Sequence, residues 1–166
     1  LFLFLSASVF AQSYWQQQVD YKMEVEMDVE TYQYMGSQIL TYTNNSPETL
    51  KKVFYHLYYN AFQPNSEMAI RLKTGKDANG RFKVDLDTLS PANQGYLKIS
   101  NLHQDGVLLQ PEMSGTILEV PLKQPLAPGS STVLTLDFDG QVPPVIRRAG
   151  KNSNEGVALS MAQWFP

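Results

Sequence analysis

Cysteine is absent from the 166 residues, which excludes a disulfide framework and any thiolate metal site but leaves the compartment open. Positive charge is scarce: 13 Lys and Arg stand against 16 Asp and Glu, for a net charge of −3 and a pI near 5.3. The neighbouring pair Arg147 and Arg148 does not make a basic stripe, and no aromatics interleave with one, so the chain lacks the footprint of a nucleic-acid binder. No apolar run approaches the roughly 20 residues that a membrane-spanning helix needs. Catalytic signatures are missing too. There is no H-E-x-x-H, no G-x-S-x-G elbow, no phosphate loop and no dinucleotide fingerprint. Ser100, Ser114 and Ser160 therefore have nothing around them that would make a nucleophile. Histidine occurs only at positions 56 and 103. A zinc site takes three or four ligands, so His56 and His103 read as packed or surface side chains.

What the chain does have is alternation. From Val19 to Val29 apolar and charged residues exchange without a miss. Successive strand side chains point to opposite faces, so Val19, Tyr21, Met23, Val25, Met27 and Val29 share one side. Asp20, Lys22, Glu24, Glu26 and Asp28 share the other, which must be wet. At helical spacing the same charges would encircle the cylinder. The acidic row has calcium-binding side chains, but calcium ligands come from a tight loop and not one flat strand, so a solvated face is the default reading.

A second strand fits Ser37–Thr43, entered through Gly36, closed by Asn44-Asn45-Ser46-Pro47 and antiparallel to the first. Leu50–Tyr59 is apolar on both faces and reads as a central strand, covered on each side. Periodicity fades from Asn60 to Gln94, where only a short strand or helical turn near Phe82–Leu89 is expected. Gly95–Leu109 is a hairpin with Asp105-Gly106 as a two-residue type I′ turn. Thr116–Leu122 points Leu118, Val120 and Leu122 inward, and Pro121 places it at a sheet edge because proline cannot donate to a ladder. After the Pro125–Gly129 turn, Thr132–Asp139 directs Leu134, Leu136 and Phe138 inward. Each large side chain buried on such faces contributes about 1.5–3 kcal/mol before chain entropy is counted. Arg147–Glu155 reads as an exposed loop. Short strands with turns at intervals of about ten residues, and no convincing helix, predict an all-β domain: an antiparallel β-sandwich or saddle-shaped sheet. A transmembrane barrel also alternates, but the doubly apolar Val53–Tyr59 and the long irregular stretch disfavour it.

Residues 1–11, an uncharged apolar run with small residues towards its end, match the h-region and cleavage site of a secretory signal peptide, with Val9 and Ala11 where signal peptidase reads. A buried first strand or helix is the alternative. Without an initiator Met or a basic n-region, the signal peptide is expected to be truncated at its start. The expected organisation is residues 1–11 as that peptide, 12–157 as the β-sandwich and 158–166 as the start of a connection to a further domain. The reason for the last is that the chain is still apolar at Val157, Leu159, Met161 and Trp164-Phe165-Pro166. An apolar end of this kind predicts a sticky surface.

The order of motifs resembles the N-terminal domain of the gluzincin zinc aminopeptidases, the metallopeptidase family of aminopeptidase N and leukotriene hydrolase. An alternating strand leads into Tyr34-Met35-Gly36, a Leu126-Ala127-Pro128-Gly129 turn follows, and a later strand ends in Phe138-Asp139-Gly140. Ala162-Gln163-Trp164-Phe165-Pro166 is similar to the family's Thr-Gln-Phe-Glu-Pro handover segment. The run from Val53 to Phe62 looks like the form in secreted members from Bacteroidetes-type bacteria. The resemblance implies a secreted or periplasmic chain that is the non-catalytic front domain of a zinc enzyme. Its partners would be a downstream catalytic domain and a peptide substrate. Zinc and the H-E-x-x-H machinery would lie downstream, so no catalytic or metal-binding residue is expected here. It further implies that Gln163 and Phe165 line the substrate pocket. Phe165 falls where relatives place a Glu or Gln that holds the substrate's amino group, and Phe cannot accept that hydrogen bond. Interdomain packing of Gln163, Trp164 and Phe165 is the bland alternative. A reading from another class is a free-standing secreted β-sandwich that binds a glycan through its aromatics, or a protein partner.

Overall fold

The computed structural model describes residues 14–74, 85–144, 149–153 and 156–166. The signal-peptide stretch 1–11 lies outside them, as do Phe82–Val84 and Arg147–Arg148. The elements follow in chain order: β1 (Gln18–Asp28), β2 (Gln33–Thr43), β3 (Leu50–His56), α1 (Glu67–Lys73), β4 (Tyr96–Gln104), β5 (Val107–Leu108), β6 (Glu112–Ser114), β7 (Ile117–Leu126), β8 (Ser131–Gln141), β9 (Gly150–Lys151) and β10 (Leu159–Ser160). Single 3₁₀ turns occupy Tyr58–Phe62, Leu86–Thr88 and Pro91–Asn93.

Two open antiparallel sheets make an all-β sandwich, as the alternation predicts. One runs β1-β2-β8-β4-β5 and the other β3-β7-β6. β1 and β2 pair along all 11 residues of each, from Gln18↔Thr43 to Asp28↔Gln33. Their loop is tied by Asp28, whose Oδ1 accepts from the backbone N–H of Glu30 (2.8 Å) and Thr31 (3.2 Å). β8 lies between β2 and β4, and its Leu134, Leu136 and Phe138 are all buried. The second sheet contributes Val53, Tyr55, Leu118 and Val120 to the same core. Asp105 (φ 48°) and Gly106 (φ 83°) form the expected two-residue hairpin turn, both left-handed as type I′ requires.

Two buried amides bolt the sandwich. Asn44 donates through Nδ2 to the carbonyls of Glu48 (2.7 Å) and Leu126 (3.0 Å), while its Oδ1 accepts from Ser46 N–H (3.0 Å). Gln104 on β4 donates to Gln124 O (2.9 Å) and accepts from the N–H of Lys123 (2.8 Å) and Gln124 (3.1 Å) on β7, which joins one sheet to the other.

Several expectations are corrected. β3 is an edge strand and not a central one: it pairs only with β7, its inward Val53 and Tyr55 are buried, and Phe54 on the other face is 59% exposed. β7, expected at an edge, is the middle strand of its sheet. Pro121 is tolerated there because β6 ends at Glu112↔Glu119, short of it, and the β3 ladder shifts register between Leu50 and Lys52. A true α-helix, α1, interrupts the irregular stretch; Ser66 Oγ caps it by accepting from Ala69 N–H (3.1 Å). Within the expected 147–155 loop, Ala149 is buried and β9 pairs with β10. Met161–Pro166 does not stand free as a sticky end. It folds back on the five-stranded sheet, with Met161 and Trp164 packed on the core and Pro166 buried. Exposed apolar side chains lie on several elements, among them Val19, Tyr21 and Val25 of β1 at 40–45%, Phe54 of β3 and Ile70 of α1.

Candidate functional site

The two aromatic-x-glycine motifs turn out to be one structure. In the β2–β8 register Gly36 faces Phe138 and Tyr34 faces Gly140. Each glycine thus lies under the other strand's ring. A Cβ on Gly36 would stand 2.6 Å from both Phe138 Cζ and Glu24 O, and one on Gly140 would fall inside the Tyr34 ring. Neither glycine can carry a side chain without displacing an aromatic, and each ring covers backbone that a glycine leaves bare.

Residues 163–166 seat on this interlock. Trp164 meets Tyr34 edge-on with ring centroids 5.7 Å apart and lies 6.4 Å from Phe138. Tyr34 Oη donates to Trp164 O at 2.6 Å, and Gln38 Nε2 donates to Pro166 O at 3.0 Å. Phe165 sits edge-on between Trp164 (5.3 Å) and Tyr21 of β1 (5.6 Å) and is half-buried. Gln163 is exposed, with a left-handed backbone (φ 55°). Of the six non-glycine residues with positive φ among those described, four are Asn or Asp, which adopt it readily; Gln163 and Tyr32 are not. Gln163 and Phe165 thus differ in setting, the first exposed and the second packed between two rings. Burial holds the Tyr34 hydroxyl well above the ordinary phenol range, with the neighbouring Tyr59 and Tyr96 adding to it, so Tyr34 is a hydrogen-bond donor at any physiological pH.

Tyr34 stands out in the sequence only as part of the Tyr34-Met35-Gly36 motif, and Gln38 not at all. One signal was available: Gln38 is the polar member of the inward series Tyr34, Gly36, Gln38, Leu40, and it is 1% exposed. A buried amide on an apolar face needs partners; its Nε2 finds Pro166 O, while its Oε1 has none among the described residues.

The two histidines stand apart from this segment and from each other. His56 stacks on Tyr58 at 3.6 Å and contacts Thr116 Oγ1 at 3.1 Å, and burial lowers its pKa. His103 Nδ1 bonds Asn101 O at 2.6 Å on the other sheet. Among the described residues no three His, Asp or Glu gather as metal ligands, so the side chains present do not fit a zinc ion. A cavity of about 880 Å³ opens between α1, β4 and the β6–β7 turn, lined by Asn60, Met68, Ile99 and Thr116 among others; residues 163–166 take no part in it. No described helix is long and apolar enough to cross a membrane.

No family model and no curated protein sequence matches the chain. Solved structures do. The M1 zinc metallopeptidase from Deinococcus radiodurans is similar over 86% of this chain and 26% of that one, at 17% identity and a TM-score of 0.50. A variant of the two-domain M1 zinc metallopeptidase bound to L-arginine gives the same identity and coverage at a TM-score of 0.51. The likeness is one of fold. The chain spans about a quarter of the length of the structures it matches.

Proposed function

We propose that this chain is the non-catalytic N-terminal domain of a secreted zinc metallopeptidase of the aminopeptidase type. In this reading it serves as a scaffold for a downstream catalytic domain and supplies part of the substrate-pocket wall. The carrying observation is that the matched M1 metallopeptidases share this fold over 86% of the chain, which accounts for only about a quarter of their own length. The motif order from Tyr34-Met35-Gly36 to Gln163-Trp164-Phe165 supports the same family.

Zinc belongs to the downstream domain in this reading, because that is where the resemblance puts the H-E-x-x-H machinery. The half-exposed apolar face of Val19, Tyr21 and Val25 is available to cover by further chain. Gln163 is exposed, so its amide is free to hydrogen-bond a peptide, while Phe165 presents a ring where a carboxylate or amide would hold an amino group. Selectivity for a free amino terminus would accordingly rest on the catalytic domain. Residues 1–11 would direct export.

The test is kinetic. In the full-length gene product, Gln163→Ala should raise KM for a peptide substrate about fivefold to tenfold, the loss of one hydrogen bond, with kcat little changed. A product that hydrolyses no peptide, with or without zinc, would overturn the reading and favour a free-standing β-sandwich binder.

A further inference from the structure

We propose that Tyr34 and Gln38 are positioning residues that hold Gln163 and Phe165 in the pose a substrate meets; this rests on the pocket-wall reading above. The two lie four apart on β2, so their side chains leave the same face of the strand. Each donates to a backbone oxygen of the overlying segment, Tyr34 Oη to Trp164 O and Gln38 Nε2 to Pro166 O. The bonds fall on either side of Phe165 and so fix its backbone before and after the ring. They also pin the residue that follows Gln163. A left-handed non-glycine backbone is strained and persists only where its surroundings impose it. Here the imposing contacts are these two hydrogen bonds and the Trp164 ring against Tyr34 and Phe138.

Neither residue can act on substrate directly, since Tyr34 is 3% and Gln38 1% exposed. Their effect passes through the segment. Gln33, on the same strand, makes a comparable bond to Gln141 Oε1 (2.8 Å) and does not touch residues 163–166, which makes it the control.

The experiment has two arms. In this chain, with Trp15→Phe leaving Trp164 as the single tryptophan, Tyr34→Phe and Gln38→Met should each raise acrylamide quenching of Trp164 about twofold or more as the segment loosens, while Gln33→Met leaves it unchanged. In the full-length gene product, Tyr34→Phe and Gln38→Met should raise KM for peptide about fivefold to tenfold with kcat within about twofold, and Gln33→Met should leave both unchanged. Should Tyr34→Phe fail to fold, Gln38→Met carries the test alone. Unchanged quenching in both variants overturns the grip. Loosened quenching with unchanged KM, in an enzyme where Gln163→Ala does raise KM, overturns the positioning role but spares the pocket-wall reading. A KM that does not respond to Gln163→Ala defeats both.

Discussion

At the residue scale the decisive feature is the exchange of rings and glycines between β2 and β8. Tyr34 covers Gly140 and Phe138 covers Gly36, so the two strands interlock and present the floor on which Trp164 rests. Gly140→Ala should cost about 3 kcal/mol of stability, the upper end for overpacking, because its methyl has nowhere to go. Gly106→Ala in the hairpin turn, where a Cβ meets nothing within 4 Å, should cost only about 1–2 kcal/mol of left-handed strain. Urea unfolding of the two variants compares them directly. Combined with Tyr34→Ala, Gly140→Ala should be markedly less than additive. The motifs Tyr34-x-Gly36 and Phe138-x-Gly140 were legible in the sequence, but their contact was not, since nothing local says that two positions about a hundred residues apart share a register. Gln38 and its partner Pro166 O were hidden for the same reason.

At the element scale, β8 and the β4–β5 hairpin are readable because their signals are local: strict alternation in one, Asp-Gly in the other. Strand neighbours are not local. The order β1-β2-β8-β4-β5 brings β8 between strands far away in sequence, and the same non-locality hid the open face of β3. Pro121 misleads because the edge rule assumes neighbours as long as the strand itself, whereas β6 spans only Glu112–Ser114. The sheets are held by polar bolts as well as packing. Asn44→Ala strands the buried Ser46 N–H and Leu126 carbonyl and should cost about 3 kcal/mol, while the exposed neighbour Asn45→Ala should cost under about 1 kcal/mol, both read from denaturant midpoints.

At the scale of the whole molecule, the core is rich in tyrosine. Burial raises the pKa of Tyr34, Tyr55 and Tyr59, and among the described residues the Tyr55 and Tyr59 hydroxyls have no hydrogen-bond partner. The folded state thus holds these protons more tightly than the unfolded chain. The associated stability is fully present below the unfolded phenol pKa of about 10 and is lost as pH rises beyond it. Thermal melts should therefore shift downward steeply above about pH 10, with tyrosinate absorbance from the buried rings appearing together with unfolding. Full ionisation of all nine tyrosines near pH 10 with the fold intact would contradict this packing.

The proposed front domain of a zinc peptidase would be followed in its gene by the catalytic part. Reading the coding sequence for about 200 codons beyond that of Pro166, roughly one further domain's length, tests it most directly. The expected result is an open frame carrying H-E-x-x-H followed by a downstream Glu ligand, the pattern that puts two zinc-binding histidines on one helical face. A frame that closes without that motif would contradict it, leaving a shared fold and no shared chemistry.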